Sequence, residues 1–385
     1  MKLNKYFMLG LVSLTFAACS NEEEKNVTTD NTEGKVYVSL SLGSAKSRSL
    51  SESAEGKTNN IKNLKVFFYT SSNQYVNYVV DQAVLNKAVT DLAKAQSATI
   101  ELTEVPGSAD RIYIIANEKE KNPIAIGSWA AVENTDIYLV NQVKESFTTF
   151  SNEESTMTGY SKITSNTEVT LKPVTCRLEV QNFTAQKAPD SFLGKDIEKF
   201  DVKGIYINSF YAQGKLGNIA DNNREQVDMK EKGFNATAYA DYKYLFDEPT
   251  YAPTENPTAT STTYTTGNGI WKVSPVQSTN ENQPKKWWGY SVLKGYVPHL
   301  IIKLDVTYDG DSAPVERYLT IHQYKIAAGS TPLDTFERGN AYRIENLMFD
   351  ATNLTEEPYE ETKTVSATVS VSPWTGVDIL PDFGN

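Results

Sequence analysis

The chain has 385 residues, and 37 Lys and Arg against 48 Asp and Glu give a formal net charge of −11. This acidic balance argues against nucleic-acid binding, because phosphate recognition needs clustered positive charge. Apolar residues make up 39% and charged residues 22%, which excludes a wholly disordered chain. The only two His residues stand at positions 299 and 322, so His-based catalysis or metal binding has little scope.

The first 18 residues have the features of a secretory signal peptide. Lys2 and Lys5 precede a short apolar run, and small residues follow it. The run is much shorter than the about 20 apolar residues of a membrane-spanning helix. Ala17 and Ala18 stand directly before Cys19. This pattern resembles the bacterial lipobox, in which the peptide is cut before a Cys that carries a lipid; an ordinary signal peptide with an unrelated Cys is the alternative.

Residues 20–34 are mostly polar and predict a flexible tether. The acidic start of the tether, Glu22–Glu24, resembles a surface-export signal of Bacteroidetes lipoproteins, and a simple solvated tether explains it equally well. The second cysteine, Cys176, is flanked by apolar and β-branched residues and is expected to be a small buried core residue. With Cys19 lipidated, no disulfide within the chain is expected.

From residue 36 onward, many short segments alternate apolar and polar residues with the period of a β-strand. One helix is predicted over Asp81–Ala95, rich in Ala, Leu and Lys, and a weaker one near Ser128–Val143. Many strands with one or two short helices predict a mainly β protein built from β-sandwich domains. Asp309–Pro314 predicts a hairpin turn, because the acidic spacing of a calcium loop is missing.

Residues 211–298 differ in composition and are predicted to form long surface loops. Gly, Asn, Thr, Pro and Tyr dominate this segment, which also contains Trp271, Trp287 and Trp288. These tryptophans either attach the loops to the sandwich or stack on sugars or a protein partner.

Sequence motifs of metal centres, redox dithiols, serine hydrolases and nucleotide-binding loops do not occur. Paired acidic residues fall in loop-like segments, where they are usually solvated. His299 and His322 lie in predicted strands and are expected to have structural roles. The sequence therefore predicts no enzymatic activity, no metal and no cofactor.

The first and last predicted strands share one pattern, with four apolar side chains on one face and mainly hydroxyls on the other. Each could occupy the same half-buried position in a sandwich. The segment 43–51 is small, polar and basic, as in an exposed protease site. A cut there would free the first strand and leave a groove with unpaired edges; two ordinary edge strands are the alternative. The apolar residues are Val36, Val38, Leu40 and Leu42 in the first strand, and Val365, Ala367, Val369 and Val371 in the last.

Together these features resemble the fimbrillins of the type V pili of Bacteroidetes. Pro173, Cys176 and the inserted Gly339 depart from the family pattern, and the resemblance does not cover 211–298. The similar segments are Met157–Ser161, Val169–Leu178, Phe336–Ile344 and Val369–Trp374.

The resemblance implies two transthyretin-like β-sandwich domains, 49–170 and 171–385, with loop insertions at about 211–298 in the second. It also implies a lipoprotein signal peptide over 1–18 and a lipidated propeptide over 19–48 that includes the first strand. The lipid on Cys19 would attach the precursor to the outer membrane.

The same resemblance implies cleavage by an Arg-specific protease between Arg48 and Ser49; Lys46 would not suit such a protease. The segment 365–385, with Val365–Val371 and Trp374, would then be the donor strand in polymerisation by strand exchange. The expected protein is a stalk subunit of a cell-surface fimbria that supports adhesion and virulence. Its partners would be other copies, anchor and tip subunits, and host or bacterial surface ligands. A monomeric glycan-binding surface lipoprotein, or an anchor or tip subunit, is the alternative.

Overall fold

The computed structural model describes most of the chain. No helix within the described ranges combines the length and apolar character needed to cross a membrane. The described ranges are 35–42, 61–95, 97–118, 124, 126–142, 155–164, 166–180, 182–217, 224–248, 261–265, 270–274, 288–358 and 365–373.

Seven strands of the N-terminal half form one sheet in the order β3-β2-β5-β7-β8-β1-β4. Their inward residues pack on one long helix, α1, whose buried Leu85, Ala88 and Leu92 lie along one helical face. Asp81 begins this helix, because its Oδ1 accepts a hydrogen bond of 2.6 Å from the Ala83 amide. The elements are β1 (Val36–Leu42), β2 (Leu64–Tyr69), β3 (Tyr75–Val76), α1 (Gln82–Ala95), β4 (Ser97–Leu102), β5 (Arg111–Ala116), α2 (Trp129–Glu133), β6 (Asp136–Tyr138), α3 (Leu139–Gln142), β7 (Met157–Lys162) and β8 (Asn166–Pro173).

In the described part of the C-terminal half, one five-stranded sheet has the order β13-β11-β18-β19-β23, and two four-stranded sheets have the orders β16-β9-β21-β24 and β14-β15-β10-β22. Two further sheets have two strands each: β17 pairs with β20, and β12 pairs with β6 of the N-terminal half. Their apolar faces share one core, which also includes residues of β2, β5 and α2. The strands are β9 (Thr175–Val180), β10 (Phe183–Ala185), β11 (Ile197–Asn208), β12 (Gln213–Lys215), β13 (Phe246–Asp247), β14 (Ser261–Thr265), β15 (Ile270–Ser274), β16 (Trp288–Leu293), β17 (Gly295–Tyr296), β18 (His299–Tyr308), β19 (Val315–Lys325), β20 (Thr335–Phe336), β21 (Asn340–Ile344), β22 (Leu347–Phe349), β23 (Val365–Thr368) and β24 (Ser370–Pro373).

The mainly β fold is confirmed, and so is the helix predicted over Asp81–Ala95. The hairpin is confirmed too: Val306 of β18 pairs with Val315 of β19, and Gly310 takes a positive φ of 78° in the turn. The division into two transthyretin-like domains at residue 170 stays a prediction. The strand β8 runs through that boundary and belongs to the N-terminal sheet.

Two local predictions are wrong. The weaker helix near Ser128–Val143 is two short helices separated by β6, which pairs with β12 of the C-terminal half. The segment 211–298 is not only surface loop, because Met229, Tyr239 and Leu245 are fully buried in the core. Tyr239 also donates a hydrogen bond of 2.9 Å to the Ile207 carbonyl. The large aromatic and apolar side chains of this segment explain its burial.

Candidate functional site

The first strand occupies an interior position of the N-terminal sheet. β1 pairs antiparallel with β4, where Val38 lies opposite Ile100, and parallel with β8, where Leu40 lies opposite Val169. It is therefore not an edge strand, and the alternative of two ordinary edge strands is wrong for this end of the chain. β4 is the last strand of the sheet, so β1 joins β4 to the other strands.

The two faces of β1 differ in the way that the alternation predicts. Val38, Leu40 and Leu42 are 0%, 1% and 6% exposed and face the core around α1. Ser39 and Ser41 point to solvent, where the Ser41 Oγ and Thr170 Oγ1 atoms lie 3.2 Å apart. The inner face therefore supplies most of the packing that holds this strand.

The charged side chains on the outer face of this part of the sheet contribute little to the stability of β1. The Lys35 Nζ lies 2.6 Å from the Glu101 Oε1, and both side chains are about half exposed. This contact raises the pKa of Lys35, mainly through the hydrogen bond to Glu101. A solvent-exposed ion pair of this kind contributes little to stability. Removal of β1 would therefore be opposed mainly by the burial of its apolar face and by its main-chain hydrogen bonds.

The C-terminal strand lies at the edges of two sheets. β23 runs parallel to β19, and β24 runs antiparallel to β21. Between them the Val369 amide donates a hydrogen bond of 2.8 Å to the Lys325 carbonyl. Each of the two short strands is the last strand of its sheet, so among the described strands each has a neighbour on one side only.

The predicted donor face is not uniformly buried in this arrangement. Ala367 and Val369 are 3% and 0% exposed, whereas Val371 is 38% exposed. The chain passes from one sheet to the other at Val369, and this interrupts the alternation of buried and exposed side chains. Val365, the first residue of β23, lies opposite Ile321 of β19.

The predicted processing residues Cys19, Lys46, Arg48 and Ser49 lie outside the described residues, as does Trp374. Trp287 also lies outside them, and Trp271 belongs to β15. Trp288 is buried, with its ring centroid 5.3 Å from that of Phe183. Trp288 therefore packs in the core and cannot serve as an exposed sugar platform.

A buried ionic cluster lies on β9 and β21, the strands beside β24. Glu179 accepts hydrogen bonds from the Nε atoms of Arg177 at 2.7 Å and Arg343 at 2.6 Å. Arg177 and Glu179 are each 1% exposed, and Arg343 lies opposite Ser370 of β24. Because one carboxylate serves two guanidinium groups, loss of Glu179 would leave buried charge uncompensated.

The two histidines meet across β18 and β19, with ring centroids 4.8 Å apart. Burial lowers the pKa of His299 to about 4, with a smaller contribution from His322, and Asp228 opposes the shift. Burial also lowers the pKa of His322. His322 falls at the register shift in the pairing of β19 with β23. The described part of the chain holds no group of three or more His, Cys, Asp or Glu placed to bind a metal ion.

Arg338 is a junction residue that sequence reasoning did not single out. Its Nη1 donates 2.8 Å to the Leu216 carbonyl, and its Nη2 donates to the Thr158 hydroxyl and, at 3.1 Å, to the Lys172 carbonyl. One guanidinium thus connects β7, β8 and the residue that follows β12. The only sequence signal was its place in the segment Phe336–Ile344, which carries the fimbrillin resemblance.

Residues 36–188 match the model of a family described as major fimbrial subunit protein (FimA). The resemblance to the fimbrillin family is confirmed for this part of the chain. The fimbrillin match begins at the first residue of β1, so it includes the strand, both of its neighbours and α1. It ends after β10 and does not include β23 or β24.

Solved structures provide a second comparison. A fimbrilin from Porphyromonas gingivalis is 15% identical, with a TM-score of 0.46 over 89% of this chain and 98% of the other. A fimbrial assembly protein from Parabacteroides distasonis is 14% identical, with a TM-score of 0.33 over 88% and 99%. A tip fimbrial protein from P. gingivalis is 12% identical, with a TM-score of 0.37 over 89% and 100%. No curated protein sequence matches the chain.

Proposed function

We propose that this chain is a non-enzymatic stalk subunit of a cell-surface fimbria, assembled by strand replacement. The observation that carries the proposal is the interior position of β1, held by two strands and by a buried apolar face. The family match over 36–188 supports the fimbrial class. Fibres of such subunits would support adhesion at the cell surface.

The precursor would be exported with a lipid on Cys19, attached to the outer membrane, and cut after Arg48. The cut separates the segment that contains β1 from the rest of the sheet. A departing β1 would expose the inner faces of β4 and β8, including Ile100, Val169 and Leu171. It would also leave one edge of each of these strands without a partner, which is a template for another strand.

The donor would be the 365–385 segment of another subunit. This segment has to detach from β19 and β21 of its own chain before it can pair with a neighbouring subunit. Burying one Val or Leu side chain gains about 1.5–3 kcal/mol, and ordering a strand costs about 1–2 kcal/mol per residue. The outgoing and incoming strands gain similar free energy from burial and lose similar free energy on ordering. The net free energy of the exchange is therefore close to zero. The persistence of the fibre would then depend on slow dissociation.

The test compares three purified proteins: the precursor, the precursor cut at Arg48, and the cut protein without 365–385. Only the second is expected to form polymers that resist mild SDS. Intact-mass analysis of the membrane-bound precursor in the same preparation should show a lipid adduct on Cys19.

Two substitutions on the donor strand sharpen the test. Val369→Asp places a charge on the buried face and should block growth, whereas Ser370→Thr on the exposed face should not. Near-UV circular dichroism of the monomers verifies that both variants fold. If uncut Arg48→Ala protein polymerises as readily as cut protein, cleavage does not gate assembly and the proposal is wrong.

A further inference from the structure

Thr355 attaches the chain to β19 a short distance before the C-terminal strand. The Tyr318 amide donates a hydrogen bond of 2.9 Å to the Thr355 carbonyl, and the Thr355 amide donates one of 2.9 Å to the Tyr318 carbonyl. Thr355 is buried, so water competes little for these two bonds. The pair is an antiparallel bridge that lies outside the regular strands.

The residues just before this bridge form a turn that is fixed by side chains. The Asp350 Oδ1 accepts a hydrogen bond of 2.8 Å from the Thr352 amide, and the Asp350 amide donates one of 2.8 Å to the Asn353 Oδ1. This reciprocal arrangement is a capping box. Leu354 is buried in the core of the C-terminal half. We call residues 350–355 the anchor turn.

The firm attachment ends at Thr355. The next side chain, Glu356, is 77% exposed, and its Oε1 lies 3.3 Å from the Arg317 Nη2. An exposed ion pair of this kind contributes little to stability. Nine residues, 356–364, then separate Thr355 from Val365, the first residue of β23.

The anchor turn and β23 occupy different stretches of the same edge of β19. One edge of β19 pairs with β18 along its length. The other edge pairs with Thr355 at Tyr318 and with β23 over 321–325. Departure of β23 would therefore open this edge at 321–325 and leave Tyr318 covered.

We propose that the anchor turn stays in place when the 365–385 segment detaches, so that Thr355 is the pivot of the donated strand. This inference rests on the proposed function. The chain from Thr355 to Val365 spans at most about 33–36 Å at full extension, which limits how far the position of β1 in the acceptor can lie from the pivot of the donor. The anchor turn also keeps the unpaired edge of β19 short, which reduces its use as a template for unrelated strands.

Two disulfide locks test which part of the chain detaches. Residues opposite each other in an antiparallel pair have Cα atoms about 4.5–5.5 Å apart, a separation that a disulfide spans. The pivot lock combines Tyr318→Cys with Thr355→Cys. The strand lock combines Ala341→Cys with Ser372→Cys and joins β21 to β24.

Both locks are closed in the precursor before cleavage at Arg48. A Cys19→Ala background leaves the buried Cys176 as the one native thiol. We expect the protein with the pivot lock to polymerise as the cut wild type does, whether oxidised or reduced. The protein with the strand lock should lose polymerisation completely when oxidised and regain it on reduction.

Failure of the pivot and failure of strand replacement give different results. If the oxidised pivot lock abolishes polymerisation and reduction restores it, the pivot is wrong and strand replacement still stands. If the oxidised strand lock polymerises, strand replacement itself is wrong, and the pivot with it.

Hydrogen exchange tests the pivot without any substitution. Between the uncut monomer and the polymer of cut wild type, the anchor turn and the Tyr318 amide should exchange at the same rate. The amides of 321–325 that face β23 should exchange faster in the polymer, because they lose their partner strand. Faster exchange of the anchor turn in the polymer would overturn the proposal.

Discussion

The first strand and the C-terminal strand have the same alternating pattern but opposite surroundings. β1 has a strand on each side, and three of its apolar side chains are buried in the core around α1. Within the described ranges, β23 and β24 each have one neighbouring strand, and the chain passes from one sheet to the other at Val369. The comparison shows that alternation determines which face is buried, whereas the neighbours determine how firmly the strand is held.

The largest expected effect is on β1. Leu40→Ala should lower the free energy of unfolding by about 2–5 kcal/mol, because it opens a cavity under a strand that is paired on both sides. Urea unfolding of the uncut protein, monitored by circular dichroism, measures this loss. Ser39→Ala on the exposed face is the matched control and should have little effect. Equal losses in the two variants would show that the inner face does not hold β1.

A smaller effect is expected at the C-terminal strand. Val369→Ala should lower stability by about 1–2 kcal/mol, since two buried carbon groups are removed. Val371→Ala should change it by less than about 0.5 kcal/mol, because Val371 is 38% exposed.

Hydrogen exchange locates the effect of the Val369 substitution. Faster exchange is expected in β23 and β24, with β1 unchanged, because the edge strands can open locally. Exchange that accelerates equally in β1 would mean that the two regions unfold together and that the contrast between them is wrong.

The effect that is smallest near neutral pH, and grows as the pH falls, is a pH dependence that acts on one region only. His299 has a folded pKa of about 4, below its ordinary value of 6.5. Its contribution to stability is therefore complete above pH 6.5 and is lost as the pH falls toward 4. The wild type should lose stability relative to His299→Gln over this range, and exchange in β19 and β23 should rise while that in β1 does not. Parallel pH curves for the two proteins would contradict this account.

Sequence reasoning predicted the parts of the fold that depend on local pattern. The bounds of β1, the helix α1 and the turn at Gly310 follow from alternation, helical spacing and turn chemistry. The placement of β1 between β4 and β8 could not be predicted, because pairing joins residues 56 or more positions apart, such as Ser41 with Ser97.

Two other features could not be predicted from the sequence, for physical reasons. The residues Met229, Tyr239 and Leu245 are buried without any regular spacing, so periodicity gives no signal for them. The change of sheets at Val369 depends on β19 and β21 lying near each other, which is a tertiary property. Arg338 is the corresponding case in the candidate site, since its partners come from three distant segments.

The mixed surroundings of β1 have a consequence for the polarity of a fibre. A strand entering the position of β1 in either direction would have one parallel and one antiparallel neighbour, so the main chain does not select an orientation. Side-chain volume distinguishes the two directions, because Ala367 would replace Val38 in one and the larger Leu40 in the other. The total volume lost is the same in both directions, but a donor that runs in the direction of β1 spreads the loss over three positions, whereas the reverse direction concentrates most of it at Leu40. If strand replacement builds the fibre, its head and tail would therefore be set by the position at which this one alanine falls.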